Sequence, residues 1–159
     1  MFPQPEDRAK YEYPADGLLQ AFGVVPADEI RNPQQLDANG EQCLLVVKNG
    51  LTTGTTIGRV MGMESFIRIY REYGINETSM EIAVLPYGNL NGPFSAPGDS
   101  GSIVLDRNGR ILGMLTGGAG STDQTDVSYL TPYWYLEKEI KKYFPNSFLY
   151  EVVKQPRST

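Results

Sequence analysis

Apolar and polar positions divide the chain near residue 40. Before that point prolines fall at 3, 5, 14, 26 and 33 and limit any continuous helix or strand. Residues 1–40 therefore read as an irregular arm. Within the arm, Asp16-Gly17-Leu18-Leu19-Gln20-Ala21-Phe22 predicts a short helix capped by Asp16, and a second helix starts near Ala27-Asp28-Glu29-Ile30. Asp37-Ala38-Asn39-Gly40 carries the Asn-Gly turn signal. After residue 40 the apolar runs become short and β-branched. Gln42 to Lys48 predicts a strand ended by Asn49-Gly50, and Thr55 to Met61 predicts its return, with Gly58 marking a bulge or a barrel bend. Ser65 to Tyr70 and Met80 to Leu85 alternate in part, the second stopped by Pro86. A loop rich in Gly, Pro, Asn and Ser spans 89–97. Ser102 to Leu105, the turn Asp106-Arg107-Asn108-Gly109 and Arg110 to Thr116 then predict a hairpin. A Gly/Ser/Thr loop leads to a last strand, Asp126 to Thr131. Pro132 opens a helix over Tyr133 to Tyr143, in which Trp134, Leu136 and Ile140 are expected to share a buried side with Tyr133 or Tyr143.

Six or seven short strands with frequent turns and one late helix predict an antiparallel all-β barrel or sandwich. The expected organisation is an arm over 1–40, a β body over 41–132, a helix over 133–145 and a tail over 146–159.

Composition narrows the chemistry. The 159 residues suffice for one domain with a core, and no apolar run is long enough to cross a membrane. Met1 to Arg8 is polar and Pro-rich, without the apolar stretch of a signal peptide. A net charge of −5 argues against nucleic acid or an anionic membrane as partner. The single cysteine, Cys43, sits in an apolar strand and reads as a small core residue; one cysteine builds no metal site, and no cofactor is implied. The count of histidine is 0, which removes the usual base and the commonest metal ligand.

The stretch Gly98-Asp99-Ser100-Gly101-Ser102 draws most attention. It places a serine between glycines at the end of a loop, just ahead of an apolar run. A nucleophilic serine needs that exposure and a backbone that approaches its substrate closely. Neighbouring N–H groups there can form an anion-binding nest. The same five residues also suit a plain turn, with Asp99 and Ser100 bonding their own backbone. Lys48 stands beside a turn and is expected in solvent, as are Lys138, Lys141 and Lys142 on the late helix. Tyr70 and Tyr73, with Tyr11 and Tyr13, are expected to half-bury their rings.

The order of the pieces carries a resemblance. The GDSGS loop is followed by the hairpin strand Ile111-Leu112-Gly113-Met114-Leu115-Thr116-Gly117-Gly118, and then by Val127-Ser128-Tyr129-Leu130-Thr131-Pro132 leading into the helix. Over roughly 42–145 this resembles the second, Greek-key barrel of a trypsin-like (chymotrypsin-fold) serine peptidase. The resemblance implies a serine endopeptidase acting on peptide or protein substrates. It assigns Ser100 as nucleophile and the N–H groups of Gly98 and Ser100 as oxyanion donors. Thr116, Gly117 and Gly118 match the edge that pairs with the substrate backbone. Asp99 matches the acid that, in activated zymogens of the family, pairs with a new N-terminal amine; with no partner visible, it is expected to brace its loop. Phe94 matches the base of the primary specificity pocket, where the lack of a carboxylate disfavours strict cleavage after Lys or Arg and favours an apolar or small side chain. Read from the residues alone, Phe94 is equally a core aromatic at the loop base. The first barrel, with its histidine and aspartate, has no counterpart in the first forty residues, and Asp16, Asp28 and Asp37 read as caps and turn residues. The expectation is a C-terminal portion that is nearly inactive by itself, or else a non-catalytic binding module on the same barrel.

Overall fold

The computed structural model describes residues 21–74, 76–88, 92–120 and 127–149. The predicted helix at Asp16 lies largely outside them, as do Tyr11 and Tyr13. Among the described residues eight strands form one antiparallel sheet: β1 (Gln35–Leu36), β2 (Gln42–Gly50), β3 (Gly54–Val60), β4 (Glu64–Tyr70), β5 (Asn76–Pro86), β6 (Ile103–Asp106), β7 (Ile111–Ala119) and β8 (Val127–Pro132). Helix α1 (Ala27–Arg31) precedes them, and α2 (Tyr133–Tyr143) follows. The sheet runs β2-β3-β5-β8-β7-β6, and β6 returns to β2 through Val46↔Asp106, Val47↔Leu105 and Lys48↔Val104. The ring is closed, so the fold is an antiparallel Greek-key barrel with a C-terminal helix. β1 and β4 are additions outside it.

Each strand of the ring sends an aliphatic side chain to one core: Val46, Val60, Val84, Val104, Leu112 and Leu130 are all buried. Burying such side chains is the main favourable term in folding, at about 1.5–3 kcal/mol each. The arm does more than wander over the surface. Gly23 and Val25 exchange backbone hydrogen bonds with Ile111, and Val25 and Ile30 join the core cluster. Glu29 of α1 accepts two hydrogen bonds from Arg110, which also clasps the buried Asp106 at the β6–β7 turn. That turn falls where Asp106-Arg107-Asn108-Gly109 predicts it, with Asp106 accepting from the N–H of Asn108 and Arg110. Asp37 acts likewise in its own turn, accepting from the N–H of Asn39 and Glu41, and holds Arg59 at 2.9 Å.

Several expectations are corrected. Asn49 and Gly50 belong to β2, and the chain turns one step later, over Leu51-Thr52-Thr53. Gly58 is not a bulge, because the β2–β3 register passes through it unbroken. A Cβ there would meet Val84 Cγ1 at 2.5 Å and Phe94 Cδ2 at 2.8 Å, so the glycine makes room for a ring. Helix α2 buries no side chain fully: Trp134, Ile140 and Tyr143 are exposed, and Tyr133 packs only partly against Val47, Leu105 and Ile111. Tyr70 and Tyr73 are also largely exposed, at 72% and 97%. They belong to the β4–β5 hairpin, whose outer half extends past the ring. Lys48 is the largest departure, and it belongs to the site.

Candidate active site

Lys48 is fully buried. Leu44 and Val46 of β2 point into the core, and Lys48 is the next residue on that face. Its Nζ donates to Thr53 Oγ1 at 2.6 Å and to the Gly54 carbonyl at 3.2 Å, and lies 3.3 Å from Asp99 Oδ2. The side chains of Lys48 and Asp99 are both 0% exposed. The Phe94 ring adds a cation–π contact, 5.7 Å from Nζ to the centroid. The ion pair therefore lies immediately beneath the stretch from Gly98 to Ser102.

Asp99 is the pivot of that stretch. Its carboxylate accepts from Thr52 N–H at 2.7 Å, Thr53 N–H at 3.2 Å, Thr53 Oγ1 at 2.7 Å and Ala96 N–H at 3.1 Å. Its backbone N–H donates to the Ala96 carbonyl, and its carbonyl accepts from both the N–H and the hydroxyl of Ser102. Thr52 Oγ1 donates to the Pro97 carbonyl. Space for the carboxylate depends on Gly50, where a Cβ would fall 2.4 Å from Asp99 Oδ1. Asp99 thus joins the 96–102 loop to the β2–β3 turn, and it has an ionic partner, Lys48, that the sequence left unidentified. Burial pushes the carboxyl pKa up, but hydrogen bonds from Thr53, Ala96 and Thr52 outweigh it and hold the group far below its ordinary 3.8.

That shift has a sign. A carboxylate whose folded pKa is depressed stabilises the fold above its unfolded value, and the contribution is lost as pH falls toward the folded value. Asp37 and Glu29 are lowered as well, so wild type loses stability on acidification through several groups. The share due to Asp99 is the difference between wild type and Asp99→Asn. Urea midpoints measured from about pH 5 down to pH 2.5 are expected to fall more steeply for wild type than for this variant. Parallel slopes would remove Asp99 from the account.

With its neighbour anchored below, Ser100 is exposed at the loop surface. Gly98 and Gly101 flank it at φ 103° and 88°, a backbone region that favours glycine. Among the described residues, the N–H groups of Gly98 and Ser100 donate to nothing, whereas those of Asp99, Gly101 and Ser102 are all engaged. Two unspent donors beside an exposed hydroxyl are what an oxyanion site requires chemically. The chain contains no histidine to serve as the base for that hydroxyl.

The remaining candidates lie along β7. The Gly101 N–H donates to the Leu115 carbonyl, and Leu115 N–H donates to the Ser102 carbonyl, tying the loop to this strand. β6 pairs with β7 only as far as Met114, while β8 continues alongside it to Ala119. Thr116, Gly117 and Gly118 therefore have one edge without a strand partner among the described residues. The β7–β8 register shifts between Leu115 and Gly117, and Thr116 turns its hydroxyl to the Tyr129 carbonyl. Phe94 is 1% exposed; its ring lies in the core cluster against Gly58, while Thr56 Oγ1 holds its carbonyl. Next to it Ser95 Oγ and the buried Ser128 Oγ share a hydrogen bond of 2.6 Å. Sequence reasoning missed Lys48, Gly50, Thr52 and Thr53. The alternation Leu44, Val46, Lys48 was the available signal for the first of them. Among the described residues no group of acidic, histidine or cysteine side chains could hold a metal, and no helix is long and apolar enough to cross a membrane.

No known protein family and no curated protein matches the chain. Solved structures similar to it include a chymotrypsin from Cellulomonas bogoriensis, at 18% identity over 79% of this chain and 52% of that one, with a TM-score of 0.47. Thermobifida fusca protease A aligns at 19% identity over 79% of this chain and 52% of that one, with a TM-score of 0.44. Rv3671c from M. tuberculosis, in an inactive mutant form, aligns at 18% over 82% of this chain and 56% of that one, with a TM-score of 0.46. The chain spans about half the length of each, and the chemistry of its site rests on its own residues.

Proposed function

We propose that this chain is the nucleophile-bearing portion of a serine endopeptidase. The observation that carries the reading is an exposed Ser100, with the unspent N–H groups of Gly98 and Ser100 on the same loop, which is anchored through Asp99. In this reading Ser100 Oγ attacks a peptide carbonyl while its proton passes to a base. The new oxyanion is held by the two N–H groups, the amine leaves with a proton, and water hydrolyses the acyl-enzyme. Thr116, Gly117 and Gly118 receive the substrate backbone on the open β7 edge. The base and its orienting acid come from a further barrel outside these 159 residues.

A second reading has its own support. The absence of histidine from all 159 residues fits a binding module that uses the open β7 edge and performs no chemistry. A fluorophosphonate probe separates the two. The peptidase reading expects slow labelling of the purified chain, located at Ser100 by peptide mapping and abolished by Ser100→Ala, with almost no turnover of a peptide panel. Absence of label favours the binding module. Efficient turnover by the pure chain, lost in Ser100→Ala, would overturn the claim that the base comes from elsewhere.

A further inference from the structure

β4 is an edge strand with neither a bulge nor a proline, and its charges are Glu64 and Arg68. It pairs with β5 from Glu64↔Ile82 to Tyr70↔Asn76, and its opposite edge has no strand partner among the described residues. Natural edges are usually shortened, bulged, covered or interrupted by proline, because a free row of N–H and C=O groups invites another strand. This one is seven residues long, pairs in unbroken register and contains no proline. Its flanks are apolar and exposed: Phe66 at 79%, Met63 at 64% and Ile69 at 46%. Met80, across the hairpin from Phe66, adds 41%.

The order of side chains along β4 selects a partner. Glu64, Phe66 and Arg68 share one face, and Met63, Ser65, Ile67 and Ile69 share the other. Laid antiparallel against a second β4 with Phe66 opposite Phe66, the strand matches itself. Glu64 then faces Arg68 of the other copy, and Arg68 faces its Glu64. On the reverse face Met63 meets Ile69, and Ser65 meets Ile67. A shift of the register by one residue in each strand, which centres it on Ile67, puts Glu64 against Tyr70 and loses both charge pairs. Such self-complementarity is what a two-fold interface requires. The present partners of the two charges are weak ones. Arg31 holds Glu64 at 3.2 Å as a surface pair, half exposed on the arginine side, and Arg68 lies over the Tyr70 ring.

We propose that the β4 edge is a homodimer interface, in which two copies pair β4 to β4 antiparallel about Phe66 and extend one sheet across both molecules. It is independent of what Ser100 does. The interface joins apolar side chains on both faces and two symmetry-related Glu64–Arg68 pairs.

Sedimentation velocity on the full chain over a concentration series tests it. Wild type is expected to dimerise with rising concentration, and less so at high salt. Glu64→Arg and Arg68→Glu each place like charges opposite one another at two positions per dimer, and each is expected to weaken dimerisation by about a hundredfold. The double variant, Glu64→Arg with Arg68→Glu, restores opposite charges and is expected to dimerise like wild type. A lost native fold would not return on adding the second reversal, so that recovery separates pairing from damage. A wild type that stays monomeric throughout, single variants that dimerise normally, or a double variant that stays monomeric would each overturn the proposal.

Discussion

Replacing Lys48 with methionine is expected to destabilise the fold by about 3–5 kcal/mol, because it leaves a buried carboxylate without its cation. Methionine matches the length of the stem, so the loss is electrostatic more than steric. Urea unfolding measures it. Asp99→Asn is expected to cost a similar amount, since it strands the ammonium and replaces an acceptor facing three N–H groups and a hydroxyl with an amide. The double variant is expected to lose clearly less than the sum, as groups in direct contact do. The effect also reaches the site. Lys48 touches nothing in the proposed chemistry, yet it positions the loop that presents Ser100. Fluorophosphonate labelling of Lys48→Met, measured where the variant is still folded, is expected to drop as well. Additive losses with unchanged labelling would reduce the pair to one more core contact.

Truncating Phe94 to alanine is the second large effect, at about 3–5 kcal/mol for a fully buried ring in a core that collapses only in part. The ring fills the space left by Gly58, so the two positions are coupled. Gly58→Ala alone is expected to overpack, because its methyl would press on both Val84 and Phe94. In the Phe94→Ala background one of those two neighbours is gone, and the same methyl is expected to cost less. Unfolding midpoints for the four proteins of this cycle give the coupling directly. Equal penalties for Gly58→Ala in both backgrounds would mean that the ring and the glycine do not share that space.

Strands were legible where an apolar run ends in glycine or proline, as β2 does at Gly50, β5 at Pro86 and β8 at Pro132. The Asp106 turn was legible for a further reason: its chemistry is local, with Asp106 bonding the N–H groups two and four residues on. Closure between β2 and β6 was not legible from the residues alone, since nothing in either strand names the other; the choice of a barrel over a sandwich came from the resemblance. Lys48 was misread for an instructive reason. Residue type and a neighbouring Asn-Gly pointed to solvent, while the alternation Leu44, Val46, Lys48 pointed inward. Period outweighs type here because a carboxylate from a distant loop meets the ammonium. That partner, Asp99, lies too far along the chain for local pattern to reveal. Helix α2 went the other way. Its apolar residues suggested a buried side, but none of its side chains is fully buried, and Tyr133 packs only partly against the barrel. The candidate nucleophile loop was legible as a motif; the network that holds it was not.

The β2–β6 seam also bears on how the chain folds. The hairpins β2–β3, β4–β5 and β6–β7 join neighbours in sequence and can form early, whereas β2 and β6 are separated along the chain by β3, β4 and β5. Such non-local pairing carries a loop-closure cost before any contact rewards it, and it slows folding. Lys48 sits on that seam, opposite Val104. Its ammonium leaves water only when the ring shuts, and Asp99 must arrive in the same step. Ring closure and assembly of the Ser100 loop are therefore expected to depend on one another.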